Sequence, residues 1–136
     1  MAYVSLDSDQ IKKAHKKHKY TKEQVEQLEK CMDEKTGPLF FMKTFMKIQH
    51  PTKGEMPFTP YPYQERLIEA YNNHRFSISM LPRQTGKTTC ASGYLIWYAM
   101  FKPDSQILIA AHKYAGASDI MSRVRYAYEM LPSWIK

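Results

Sequence analysis

The chain has 136 residues, 43% of them hydrophobic, which gives it room for one domain with a moderate core. Its formal net charge of +7 favours a polyanionic partner such as nucleic acid. Two distant cysteines, Cys31 and Cys90, imply neither disulfides nor a zinc site, and a reducing cytosol fits. The polar N-terminus and the short apolar stretch 94–101 argue against secretion and against a membrane span.

The chain begins with a polar, basic leader, residues 1–22. No acid falls between Asp9 and Glu23, and two histidines lie among six lysines: Lys12, Lys13, His15, Lys16, Lys17, His18, Lys19 and Lys22. Such a run can contact nucleic-acid phosphates. It has little apolar surface to bury, however, so a solvated leader is the favoured interpretation.

Residues 23–60 are predicted to form a helical front piece and a proline-rich linker. A helix over 20–32 is indicated by apolar residues at helical spacing, and Thr21 can cap its first turn. Gly37 and Pro38 interrupt that pattern, and a second short helix is predicted over 39–48. Four prolines between 49 and 62 predict an extended connection.

Residues 61–136 are predicted to contain two strand–helix pairs. A helix over 63–73 comes first. The apolar runs 76–81 and 107–111 predict strands that are buried on both faces. Each is followed by a helical pattern, so the prediction is a parallel βαβα unit with a right-handed crossover. The fold class is therefore α/β, a partial P-loop NTPase preceded by a small helical region.

A candidate phosphate-binding loop joins the first predicted strand to its helix. It closes on Gly86-Lys87-Thr88, although the strict motif has a glycine where this chain has Leu81. Backbone N–H groups and the helix N-terminus would face a phosphate, Lys87 would reach the outer phosphates, and the Thr88 hydroxyl would ligate Mg²⁺. The alternative is an ordinary helix start, capped by threonine, with the lysine in solvent.

Gln64 is a candidate adenine reader about two dozen residues before this loop. Its amide can both donate to and accept from a base edge, while a neighbouring tyrosine or Arg66 covers the ring face. The alternative is an amphipathic helix whose glutamine points to water.

Together these residues resemble the ATPase domain of the large terminase subunit, the DNA-packaging motor of tailed bacteriophages. Tyr63-Gln64 resembles its adenine motif, and the segment 107–113, which ends in His112-Lys113, resembles its second strand. The loop resembles its deviant Walker A motif: Pro82, Arg83, Gln84, Thr85, Gly86, Lys87, Thr88 and Thr89. This resemblance extends from about Leu28 onward.

The resemblance implies roles for individual residues. Lys87 would hold the β- and γ-phosphates of ATP, Thr88 would hold Mg²⁺, and Gln64 would sense adenine. Arg83 would be the cis arginine that stabilises charge on the transferring phosphoryl group. For Arg83 a solvent-facing or ground-state phosphate-binding role stays open. His112-Lys113 lies where the family couples nucleotide state to DNA, and a turn without any contact is the alternative.

The resemblance also implies partners. They are double-stranded DNA, the portal protein and the small terminase subunit, met by a homo-oligomer in the host cytoplasm at the procapsid portal. Family members continue into a third strand ending in Asp-Glu and into a nuclease domain, and no apolar run ending in paired acids occurs in this sequence. We therefore interpret the chain as an N-terminal part of the motor that hydrolyses little ATP alone. A helicase-like ATPase and a non-enzymatic basic binding protein are the alternatives.

Overall fold

The computed structural model describes residues 19–50, 52 and 54–136. Most of the basic run Lys12–Lys22 lies outside the described residues, and its role stays a prediction. The described chain forms five helices and one hairpin: α1 (Lys22–Met32), α2 (Gly37–Phe45), β1 (Lys47–His50), β2 (Gly54–Pro57), α3 (Pro62–Asn73), α4 (Lys87–Phe101) and α5 (Tyr114–Glu129).

Both helices predicted in residues 23–60 are present, with a correction at the second. Thr21 caps α1 as predicted: its hydroxyl accepts from the Gln24 N–H at 3.3 Å, and the Gln24 side chain accepts from the Thr21 N–H at 3.0 Å. The second helix begins at Gly37, and Pro38 lies inside its first turn, where the missing N–H leaves no helical bond unmade. It ends at Phe45, so the predicted end at Ile48 was wrong.

Helix α4 lies at the centre of the fold, in contact with α2, α3 and α5. The Trp97 indole is 1% exposed, and its Nε1 donates to the Cys31 carbonyl of α1 at 2.8 Å. A Cβ placed on Gly93 would lie 2.5 Å from Met42 Cε, so the glycine lets α2 approach α4 closely. The front piece and the helix after the loop therefore share one core.

The sheet differs from the predicted one. Strands β1 and β2 pair antiparallel, from Lys47 opposite Pro57 to His50 opposite Gly54, and Lys47 forms a salt bridge with Glu55 across the pair. The segment was predicted as an extended connection because its prolines discourage a central strand. A two-stranded hairpin has two edges, where prolines are tolerated.

The predicted parallel unit is absent from the structure as described. Neither 76–81 nor 107–111 is assigned to a strand, and the sheet of the described residues contains β1 and β2 alone. Phe76, Ile78 and Met80 are 81–96% exposed. Their apolar character predicted burial, but a strand needs a hydrogen-bonded neighbour, and the described residues supply none here. The fold is thus a helical assembly with a small sheet.

Burial suppresses the acidity of both cysteines. It raises the pKa of the Cys31 thiol to about 12 and that of the Cys90 thiol to about 11. Since the thiolate is the reactive form, we expect neither cysteine to be alkylated by iodoacetamide in the folded protein at pH 8, and both to react in denaturant. Mass spectrometry of the quenched mixtures measures this, and rapid labelling of the native chain would contradict the burial.

The raised pKa values of the two thiols determine the direction in which the stability of the folded protein changes with pH. Both folded-state values lie above the ordinary thiol value of 9.0, so the unfolded chain releases these protons first. The thiol contribution to stability is therefore complete below about pH 9 and is lost as the pH rises towards 11 and 12.

No helix in the described ranges has the length and apolar character to cross a membrane.

Candidate functional site

The candidate site is the loop between Leu81 and α4. Gly86 precedes the helix with φ of +74°, a left-handed conformation that glycine adopts without steric penalty, and its carbonyl accepts the Cys90 N–H at 2.9 Å. Gln84 also has a positive φ, of +64°. Two left-handed residues within three positions make a tight turn that ends at the first helical residue, Lys87.

The N-terminus of α3 forms a rigid wall beside this loop. Pro62 lies in the first turn of the helix. The Gln64 side chain accepts from the Tyr61 N–H at 3.0 Å, and the Gln64 N–H donates to the Tyr61 carbonyl at 2.8 Å. Gln64 is only 6% exposed. Its amide oxygen therefore caps its own helix and does not point to water.

Two side chains of α3 donate hydrogen bonds to the same carbonyl oxygen of the loop. The Tyr63 hydroxyl and the Gln64 Nε2 each donate to the Thr85 carbonyl at 3.0 Å. A Cβ on Gly86 would lie 2.6 Å from Gln64 Nε2, so the glycine also makes space for this amide. The structure thus brings Tyr63 and Gln64 next to the Gly-Lys-Thr segment through hydrogen bonds within the protein, a contact that the sequence analysis did not predict.

A second carbonyl organises the interior of the loop. The Pro82 carbonyl accepts from Thr85 Oγ1 at 3.0 Å and from Lys87 Nζ at 3.1 Å. Arg83 and Lys87 are exposed, and no salt bridge among the described residues involves either. The first turn of α4 carries no acid. Two cations and a helix N-terminus therefore favour an anion at this point.

Thr88 and Thr89 occupy the first turn of α4 and are half-buried. Thr89 lines a cavity of about 400 Å³ that is bounded by α4, α5 and β1. The described residues contain no group of three or more His, Cys, Asp or Glu side chains that could hold a metal ion. Any divalent cation here would depend on a hydroxyl such as that of Thr88 together with a ligand's own oxygens.

Some predicted residues are not tied to the loop. His112 and Lys113 are exposed just before α5, and no described hydrogen bond connects their side chains to the loop. Arg66 is exposed on α3, and no described hydrogen bond or ion pair involves the Arg83 side chain. The structure leaves both arginines available to a ligand without assigning them a partner.

Sequence reasoning missed two contributors to the site. One is the Thr85 carbonyl, which no side-chain motif can reveal. The other is the stacking of the Tyr61 ring on that of Tyr63, with centroids 5.8 Å apart and planes within 6°. The signal for Gln64 as a capping residue was present, since a glutamine three residues after the N-cap is the second half of a capping box. The tyrosine at the N-cap concealed it.

Residues 78–136 match the family model described as "Terminase large subunit, T4likevirus-type, N-terminal". This segment of the chain is therefore similar to the N-terminal part of large terminase subunits. The match spans a little under half of the chain and includes the loop, α4 and α5. It confirms the resemblance drawn from the sequence.

The terminase match begins after α3, so Tyr63 and Gln64 precede it. Their link to the matched segment is structural: both side chains donate to Thr85, which lies within it. Hydrogen bonds therefore connect the matched segment to residues that the family model does not cover.

Proposed function

We propose that this chain provides the ATP-binding portion of a viral DNA-packaging motor, the large terminase subunit. In that motor, ATP hydrolysis drives double-stranded DNA into the procapsid. The observation that carries the proposal is the position of Lys87. Its ammonium folds over the loop to within hydrogen-bond distance of the Pro82 carbonyl, directly after the left-handed Gly86. A mobile cation at a helix N-terminus suits a phosphate chain.

The residues of the loop fit a magnesium nucleotide. Lys87 would exchange its bond to the Pro82 carbonyl for the β- and γ-phosphates, which are stronger acceptors because they are charged. The Thr88 hydroxyl would ligate Mg²⁺. When bound, Mg²⁺-ATP supplies the phosphoryl group that is transferred, and the protein positions it and compensates its charge.

Arg83 is proposed as the arginine that stabilises the developing charge. Its guanidinium is exposed, and no carboxylate of the described residues pairs with it, so turning towards a γ-phosphate would break no ion pair. A planar guanidinium can donate two parallel hydrogen bonds to phosphate oxygens. Substitution by lysine would retain the charge and lose that geometry.

The finer fold assignment is part of the same proposal. We propose that 76–81 and 107–111, which are not strands in the structure as described, form the first two strands of a P-loop sheet in the assembled motor. Their exposed apolar side chains, such as Ile78 at 96% and Leu108 at 91%, support it, since exposed apolar surface marks a site of contact with another segment or partner. We further propose the portal protein and the small subunit as partners, a homo-oligomeric assembly, and the host cytoplasm as the compartment.

Replacing Lys87 with alanine is expected to weaken binding of Mg²⁺-ATP at least tenfold, since charge-assisted hydrogen bonds contribute about 1.5–3 kcal/mol. Titration calorimetry on the full chain measures the affinity. Lys35→Ala is the matched control, because Lys35 is an exposed lysine in the turn between α1 and α2. Equal affinity in wild type and Lys87→Ala, or no binding by wild type at millimolar ATP, would contradict the proposal.

A further inference from the structure

We propose that Tyr63 and Gln64 are positioning residues, which orient the Thr85–Gly86 peptide so that the loop can receive phosphate. This inference rests on the proposed function, because it concerns the same loop. It differs from adenine reading, which would place the two side chains on the base.

Hydrogen bonds from α3 fix the direction of the peptide between Thr85 and Gly86. The Thr85 carbonyl accepts two hydrogen bonds from α3, both of 3.0 Å. In a planar trans peptide the carbonyl and the following N–H point in opposite directions. The two donors therefore aim the Gly86 N–H away from the side chains of Tyr63 and Gln64, where it is open to a ligand of the loop.

The two donor side chains, those of Tyr63 and Gln64, are themselves held by neighbouring groups. The Gln64 amide is held at its other end by the Tyr61 N–H and is nearly fully buried. The Tyr63 ring is stacked on Tyr61. Both side chains are thus fixed before any ligand arrives, and binding would lose little additional side-chain entropy on their account.

The contacts of Gln64 leave few of its hydrogen-bonding groups for an adenine base. Gln64 donates through Nε2 to Thr85 and accepts through Oε1 from Tyr61. One N–H and one lone pair remain, on an amide that is 6% exposed. Direct reading of adenine would have to use that remaining N–H and lone pair on an amide with almost no exposed surface, whereas positioning requires no movement.

The test compares a ligand that carries the adenine base with one that consists of phosphates alone. Tyr63→Phe removes the hydroxyl and retains the stacked ring. We expect it to weaken the binding of inorganic tripolyphosphate and of ATP, each with Mg²⁺, by the same factor of about three to ten, the effect of one hydrogen bond. Tyr128→Phe, a hydroxyl deletion at an exposed tyrosine of α5 outside the loop, should change neither affinity. Calorimetry with both ligands on the full chain gives the comparison.

A loss confined to ATP would overturn the inference in favour of a base contact, and unchanged affinity for both ligands would overturn it outright. A second measurement is independent of nucleotide. The amide nitrogen shift of Gly86 should change in ligand-free Tyr63→Phe, while that of Gly93 in the middle of α4 stays fixed, because an amide nitrogen senses hydrogen bonding at the preceding carbonyl. Wild type that binds neither ligand would refute the proposed function, while an unmoved Gly86 signal would refute the positioning role.

Discussion

Replacing Trp97 with alanine is expected to lower the free energy of unfolding by about 3–5 kcal/mol, the range for a large buried aromatic side chain. The indole is 1% exposed at the point where α4 meets α1 and α2. It also lies near the Phe101 ring, with centroids 6.4 Å apart. Urea denaturation followed by circular dichroism measures the change, and for a domain of this size the loss would remove a large part of the total stability.

Trp97→Phe separates packing from hydrogen bonding. It keeps most of the apolar surface and deletes the Nε1 donor, which leaves the Cys31 carbonyl unpaired among buried groups. We expect about 1–3 kcal/mol of destabilisation from that loss, clearly less than for alanine. If both variants unfold at the wild-type urea concentration, the front piece does not pack on α4 as described.

The helices were predictable because their signals are local. Thr21 with Gln24 marks the start of α1, Pro62 marks the start of α3, and Gly86 precedes α4. Each signal lies within four residues of the boundary that it sets, so no knowledge of the tertiary fold was needed. The second helix was predicted two residues too late at its start, because a glycine and a proline that usually end a helix instead begin this one, and its predicted end at Ile48 was wrong.

The sheet was not predictable from the same kind of signal. An apolar run such as 107–111 indicates that the segment favours burial, but it does not indicate which other segment covers it. The observed pairing of β1 with β2 depends on register across a turn, which the proline-rich sequence concealed. A strand forms only when a second segment pairs with it through hydrogen bonds, whereas the apolar pattern of a sequence describes one segment by itself.

The candidate site, too, was predictable from the sequence only in part. The order Gly86-Lys87-Thr88 before a long apolar segment predicted the loop and the helix after it, and α4 confirms the helix. The contact that links Tyr63 to Thr85 spans 22 positions and ends on a main-chain atom. A carbonyl carries no residue-type signature, so this half of the site became visible only from the coordinates.

Replacing Gly86 with alanine is expected to weaken Mg²⁺-ATP binding about 100-fold. Two separate effects combine. A φ of +74° costs a residue with a Cβ about 1–2 kcal/mol, and the new methyl group would lie 2.6 Å from Gln64 Nε2. The amide must then withdraw from the Thr85 carbonyl, which removes a further hydrogen bond of about 0.5–1.5 kcal/mol and frees the peptide that Tyr63 and Gln64 hold. Calorimetry against the wild type gives the ratio.

Gly54 provides the control that isolates the steric effect. It has nearly the same φ, +71°, but a Cβ placed there would meet nothing within 4 Å. Gly54→Ala therefore carries the backbone strain without the contact, and it lies in the hairpin, away from the loop. We expect it to lower the midpoint of thermal unfolding slightly and to leave ATP affinity unchanged. If Gly86→Ala binds ATP as well as Gly54→Ala does, the close approach of Gln64 to the loop has no part in nucleotide binding, and the left-handed turn is a structural feature alone.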